Sequence, residues 1–195
     1  MRRPFSRAII NVESRNMHSK ELSLRPATAL DERFLLAVYV ETRRGELTPL
    51  GWRDEQITIF CRMQFDLQSR AYRMQFPEAV GYVVEHKGEA IGRLLVNRVE
   101  REIRLIDIAF LPQYRNLGAG TILIENLQVE AQLADKPLEL RVLTTNAAAI
   151  RLYARLGFVT AENNQTHLTM RWRARASENH RPNEHENDRR KDERK

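Results

Sequence analysis

The sequence predicts an α/β domain built on a mixed, mostly antiparallel central sheet with helices on both faces. Three observations predict it. Strand-like runs alternate with helical periods from Leu22 to Trp172. Two of the runs are separated by only four residues, which reads as a hairpin. A third, Ile103 to Phe110, has almost no polar face, as expected of a central strand covered on both sides.

The elements follow in order. Leu22 to Arg25 is a short strand stopped by Pro26. Thr28 or Asp31 can cap a helix whose apolar positions include Phe34, Leu35 and Val38. A break is expected around Gly45, Pro49 and Gly51. Phe60, Met63, Leu67, Ala71 and Met74 then recur at helical spacing, one apolar stripe of a long amphipathic helix ended by Pro77. Val80 to Glu85 and Ala90 to Val96 form the hairpin around His86 to Glu89. Ile103 to Phe110 follows. A glycine loop leads to a helix with Ile124, Leu127, Ala131 and Ala134 along one face. Leu138 to Leu143 is a strand, and Ala147 to Leu156 a short helix stopped at Gly157. His167 to Trp172 alternates as a last strand, giving the order β-α-α-β-β-β-α-β-α-β.

The 195 residues suit one domain, and 42% hydrophobic residues are enough for a core. Residues 21–173 form that domain, between a flexible extension (1–20) and a disordered charged tail (174–195) without large apolar residues. The net charge of +6 sits mostly at the ends. Residues 1–20 carry five basic side chains and one acidic; residues 21–173 carry 20 basic and 19 acidic. The core composition therefore gives no support to a nucleic-acid partner. No run approaches the roughly 18 apolar residues of a membrane span, and Ala8 to Val12 is too short for a signal peptide. A soluble, cytoplasmic protein with no membrane partner is expected. Cys61, the single cysteine, excludes an internal disulfide and a cysteine-cluster metal site, and reads as core. His180 and His185 are isolated in the tail, so no metal is expected.

Chemistry concentrates in Ile108-Ala109-Phe110-Leu111-Pro112-Gln113-Tyr114-Arg115-Asn116-Leu117-Gly118-Ala119-Gly120-Thr121. A hydrophobic strand passes through a proline-marked turn into Arg-x-x-Gly-x-Gly and straight into a helix. The first turn of a helix offers backbone N–H groups without internal partners, and the helix dipole adds positive potential. Glycines let a phosphate approach the backbone closely, and Arg115 can add charge and forked donors. The same two glycines could equally serve only a tight strand-to-helix turn. Neither the third glycine of a dinucleotide fingerprint nor the Gly-Lys-Ser/Thr of an NTPase loop is present.

A second segment follows the next strand: Thr145-Asn146-Ala147-Ala148-Ala149-Ile150-Arg151-Leu152-Tyr153-Ala154-Arg155-Leu156-Gly157-Phe158. With both segments in this order, the chain resembles the GNAT superfamily of acyl-CoA-dependent N-acyltransferases, and the likeness covers most of the core. The resemblance implies a GNAT-like fold and an N-acetyltransferase using acetyl-CoA as acyl donor. It implies that Arg115, Asn116, Leu117, Gly118, Ala119, Gly120 and Thr121 wrap the CoA pyrophosphate, and that Ile108, Ala109 and Phe110 splay from their neighbour to bind pantetheine and the acyl carbonyl. It also implies that Asn146 contacts the cofactor arm and that Tyr153 contacts the CoA sulfur and protonates the departing thiolate. Tyr153 is otherwise an ordinary packing residue, and Gly157-Phe158 a helix stop and core anchor.

The resemblance also implies a general base near the central strands, often a glutamate or a water held by one. Glu102, Asp107 and Glu85 all stand there. Asp107, a carboxylate in an apolar run, can take a proton, grip an ammonium or hold a bulge. Arg104 reads as a solvated strand end or a contact for an acidic acceptor. The acceptor is expected to be a small-molecule or peptide amine, walled by the stretch from Thr42 to Trp52 with Arg43, Arg44, Glu46 and Trp52. A homodimer is compatible with the sequence, as is a non-catalytic module that binds CoA or a protein.

Overall fold

The computed structural model describes residues 21–174. The extension and nearly all of the charged tail, with His180 and His185, lie outside the described residues. Seven strands form one sheet in the order β1-β2-β3-β4-β5-β7-β6. They are β1 (Leu22–Pro26), β2 (Val80–His86), β3 (Glu89–Arg98), β4 (Ile103–Phe110), β5 (Leu138–Leu143), β6 (Val159–Asn163) and β7 (His167–Trp172). Four α-helices complete the core: α1 (Glu32–Leu47), α2 (Asp54–Gln75), α3 (Ala119–Leu133) and α4 (Ala147–Arg155). All strand pairs are antiparallel except β4 with β5. No helix of the described residues is long and apolar enough to cross a membrane.

The predicted class and nearly all the elements are found, with three corrections. β6 was not expected: its five residues Val-Thr-Ala-Glu-Asn are all exposed on an edge strand, so they carry no buried alternation to read. Gly45 does not break a helix, because α1 continues through it to Leu47; the true break is the left-handed turn at Gly51, φ 69°. The stripe assigned to α2 faces the wrong way. Met63, Leu67 and Met74 are 52%, 53% and 85% exposed. The buried face is Ile57, Cys61 and Phe65, which packs on Leu36, Tyr39, Val40 and Leu47 of α1. A stripe rotated to another face of the helix has the same period, so spacing alone does not choose between them. Cys61 is buried, as expected.

A second hydrophobic cluster joins α3 to the sheet through Ile122, Leu123, Ile124 and Leu127 against Leu94, Val96, Leu105 and Leu140. The two clusters put helices on both faces. α3 is also tied to β3 by the bidentate Arg98–Glu130 pair, 2.6 and 3.0 Å.

Two ionic devices fix the sheet. At the β1 end, Arg25 donates to both oxygens of Asp31 (2.7 and 2.8 Å) and to Glu85 (2.7 Å). Asp31 also accepts from the Thr28 amide at 2.8 Å and hydroxyl at 3.0 Å. Across the middle, cross-strand partners Arg104, Glu139 and Arg171 form a triplet. Glu139 is buried, binds Arg104, and accepts from Arg171 at 2.8 Å.

Arg25, with Thr28, holds the Asp31 carboxyl well below the usual carboxylate range. A depressed folded pKa stabilises above the unfolded carboxyl pKa of about 3.9 and stops doing so as pH falls. Asp31→Asn should therefore lower the urea midpoint at pH 7. The gap from the unsubstituted protein should close as both are titrated below about pH 4.

Candidate active site

The site begins where β4 leaves β5. Their parallel pairing covers only Ile103↔Leu138, Arg104↔Glu139 and Leu105↔Leu140, although both strands continue. β4 stays paired with β3 as far as Phe110↔Gly92, and β5 with β7 as far as Leu143↔His167. Opposite Leu95 and Val96 the register skips Ile106, a bulge that turns β4 locally. Beyond it, Ile106–Phe110 have no ladder partner on the β5 side. The strands are closed at one end by the Arg104–Glu139–Arg171 triplet and open at the other.

The glycine loop stands at the open end. Asn116 and Gly118 have φ of 60° and 94°, and Gly118 is the residue before α3. Among the described residues, the first loop amide to find an acceptor after Arg115 is that of Ile122, on the Gly118 carbonyl at 3.0 Å. The N–H groups of 116–121 are thus left as donors at the positive end of a helix. A Cβ built on Gly120 would meet only the Phe110 ring, at 3.5 Å, so the cradle is open there. Ala119 is buried in the core and offers only its backbone, while Leu117 is exposed and Thr121 half-buried.

Arg115 differs from the expectation of a charge aimed at an anion. Its Nε donates to the Phe110 carbonyl at 2.9 Å and one terminal nitrogen to the Glu41 carbonyl at 3.0 Å. It fixes the loop between β4 and α1, so the backbone amides carry the cradle. Phe110 is held from the other side. A Cβ on Gly92 would lie 2.5 Å from the Ala109 carbonyl and 2.6 Å from the Phe110 ring. Only glycine lets β3 pass this close.

Asn146 caps α4, its Oδ1 accepting from the Ala149 amide at 3.1 Å, and it is exposed at the rim. About two turns later Tyr153 is buried against Phe158, ring centroids 5.8 Å apart. Its hydroxyl makes no hydrogen bond to the described residues. Burial, then the charge of Asp107, pushes its phenol up to about 12.

Asp107 points to the α1–α2 side, where Arg93 meets it at 2.7 Å. Arg93 lies opposite Ala109 in the ladder, so the pair is diagonal across β3 and β4. The guanidinium is buried over the rings of Tyr39 (5.5 Å) and Phe65 (5.9 Å), and its Nε has no hydrogen-bond partner among the described residues. Tyr72 of α2 is also pushed up to about 12, by burial first and then by Asp107. The charge of Asp107 thus raises the phenols of two different helices, Tyr72 of α2 and Tyr153 of α4.

A cavity of about 450 Å³ lies over this pair, between α2 and strands β2–β4. Its walls include Phe65, Tyr72, Phe76, Tyr82 and Leu95, with Arg93 and Asp107 at the base. The stretch from Thr42 to Trp52 is not part of it. There Arg43 pairs with Glu46, Arg44 with Glu41 and Asp54, and Trp52 packs edge-on against Phe60.

The structure thus brings Ile108–Phe110, the 116–121 loop, Asp107 and Tyr153 around the open strands. Glu102 stands apart, just before β4 at the closed end, in an ion pair with Arg104 at 3.0 Å. Arg104 itself is engaged by Glu102 and Glu139. Glu85 is held by Arg25. Among the described residues no group of His, Cys, Asp and Glu could hold a metal. Arg93 and Tyr72 were missed. The signal for Arg93 was available: it is a lone charge inside the apolar run Ile91 to Val96, matching lone Asp107 on the next strand.

The model of the acetyltransferase (GNAT) family matches residues 46–158. Among solved structures, the PaiA N-acetyltransferase from Thermoplasma acidophilum, in complex with coenzyme A, is 17% identical with a TM-score of 0.60. The match covers 78% of this chain and 99% of that one. A GNAT acetyltransferase from Elizabethkingia anophelis with acetyl-CoA bound is 14% identical, TM-score 0.53, covering 80% and 99%. A ribosomal-protein alanine N-acetyltransferase from Escherichia coli is 20% identical, TM-score 0.51, covering 81% and 97%. No curated protein matches by sequence.

The Gly92 contact predicts a stability effect. Gly92→Ala should cost about 1–3 kcal/mol in urea unfolding, because the backbone of Ala109 must move. Gly81→Ala on neighbouring β2 meets nothing closer than 3.8 Å and should leave stability unchanged or slightly raised.

Proposed function

Because the chain belongs to the acetyltransferase (GNAT) family, we propose that it transfers an acetyl group from acetyl-CoA to a primary amine, at the opening between β4 and β5. The observation that carries this reading is the run of free donors at 116–121 standing at the end of that opening. The residues fit the donor: the loop amides suit a pyrophosphate, the Gly120 cradle leaves room for it, and unpaired strand edges suit an extended amide-bearing arm. Acetyl-CoA supplies the activated thioester. Ile108, Ala109 and Phe110 line its acyl end, and Asn146 borders the arm.

Tyr153 carries the leaving-group role. With its phenol near 12 it keeps its proton throughout the neutral range. An ordinary thiol ionises near about 8.5, so a free proton transfer from phenol to thiolate runs uphill. Tyr153 therefore gives the sulfur a hydrogen bond as the C–S bond breaks. The proton that the amine sheds on forming its N–C bond supplies the one that ends on sulfur. Asp107 is assigned an electrostatic role, holding Arg93 in place and keeping both phenols neutral. Glu102, at the closed end, is assigned no part in the reaction.

Two measurements test the reading. Calorimetric titration should show acetyl-CoA binding the protein and failing to bind a folded Gly118→Glu/Gly120→Glu variant; unchanged binding by that variant would place the donor elsewhere. Tyr153→Phe should bind acetyl-CoA as before yet lose about 10²-fold or more in kcat. An unaltered kcat would return Tyr153 to a packing role.

A further inference from the structure

The cavity over Arg93 and Asp107 borders the β4–β5 opening at Asp107, which lines the cavity and belongs to the stretch of β4 that has no β5 partner. An amine entering the opening from this side has its body in the cavity. Two properties of the cavity then decide what that body is. Its walls are mainly apolar and aromatic, and about 450 Å³ is the size of a small-molecule site. Its charges are two arginines, Arg73 and Arg93, against one carboxylate, Asp107, which Arg93 already holds. The adjoining groove shares Leu35, Phe65, Ser69 and Arg73 and adds Arg62 and Arg70 against Glu32 and Asp66, so the excess stays positive. Neither space has a carboxylate surplus that would attract a polycation.

Resting on the acetyltransferase reading, we propose that the acceptor is a monoamine carried on an apolar, ring-sized body, and neither a polyamine nor a lysine-rich peptide. The ring lies among Phe65, Phe76, Tyr82 and Leu95. The Tyr72 hydroxyl, which makes no hydrogen bond to the described residues, accepts from the amine. The positive surroundings and the apolar walls both favour the uncharged amine, which is the nucleophilic form. In the reaction the amine nitrogen bonds the acetyl carbon, the C–S bond breaks, and one amine proton is lost as coenzyme A leaves as the free thiol.

Gly81 provides a direct probe. It pairs with Leu95, so its side-chain direction is that of a cavity wall. A Cβ there meets only Leu95 at 3.8 Å and Ala27 at 3.9 Å, and its φ is not left-handed. A branched side chain can be planted without disturbing the backbone.

The test uses the full chain with saturating acetyl-CoA and a thiol-release assay. Tryptamine and phenethylamine are compared with spermidine and a lysine-containing peptide. The aralkylamines should exceed the polar acceptors in kcat/KM on the order of 10²-fold, the scale of burying one aromatic group. Gly81→Val should raise KM for tryptamine about tenfold or more and leave acetyl-CoA affinity unchanged. Equal or better turnover of spermidine or the peptide, or no transfer to either aralkylamine by protein that binds acetyl-CoA, overturns the proposal alone. An unaltered tryptamine KM in Gly81→Val does the same. Failure to bind acetyl-CoA at all would instead overturn the acetyltransferase reading beneath it.

Discussion

Parallel strands β4 and β5 are held together for three residue pairs and then part, and the rest of the site is arranged around that parting. The closed end is secured by charge. Glu139, buried in β5, binds Arg104 on one side and Arg171 on the other, so three adjacent strands are fixed at one level. Removing one partner of such a buried set leaves an uncompensated charge, which costs more than the set contributes when whole. Beyond it the Ile106 bulge adds a residue to β4 and turns the strand, while β5 keeps to its other neighbour, β7. The opening is therefore a consequence of sheet geometry. It needs no movable loop.

The glycine loop is positioned by the same strand. β4 ends at Phe110, whose carbonyl accepts from Arg115, while its ring sits between Gly92 and Gly120. These contacts fix where α3 starts and which way its unpaired amides face. On the opposite side of β4, Asp107 and Arg93 give the cavity a floor whose charges cancel. Burial and Asp107 together keep Tyr72 and Tyr153 protonated. One strand thus sets the cradle, the opening and the electrostatics of the cavity.

Much of this was legible in the sequence. β4 announces itself by its continuous apolar run, and the two glycine-containing segments locate the loop and Tyr153 with respect to it. What was not legible falls into two kinds. Periodicity does not fix the rotation of a helix: Met63, Leu67 and Met74 share the period of Ile57, Cys61 and Phe65, and only the position of Tyr39 and Arg93 decides which stripe is covered. Ionic commitments are equally hidden. Arg115, Glu102 and Arg44 look available in a sequence, yet each is engaged by a group distant in the chain or fixed by the fold. The cavity over Arg93 and Asp107 lies on the C-terminal half of α2, away from the α1–α2 connection that the sequence pointed to.

In the proposed reaction the acyl donor lies where β4 parts from β5, with the loop amides at its end. Backbone amide NMR spectra recorded during titration with acetyl-CoA test it most directly. The amides of Ile106–Phe110 and of 116–121 should shift together at one stoichiometric endpoint, with those of β1, β6 and the Arg104–Glu139 end unmoved. Shifts confined to the α2 cavity, or spread over the closed end of the strands, would contradict it.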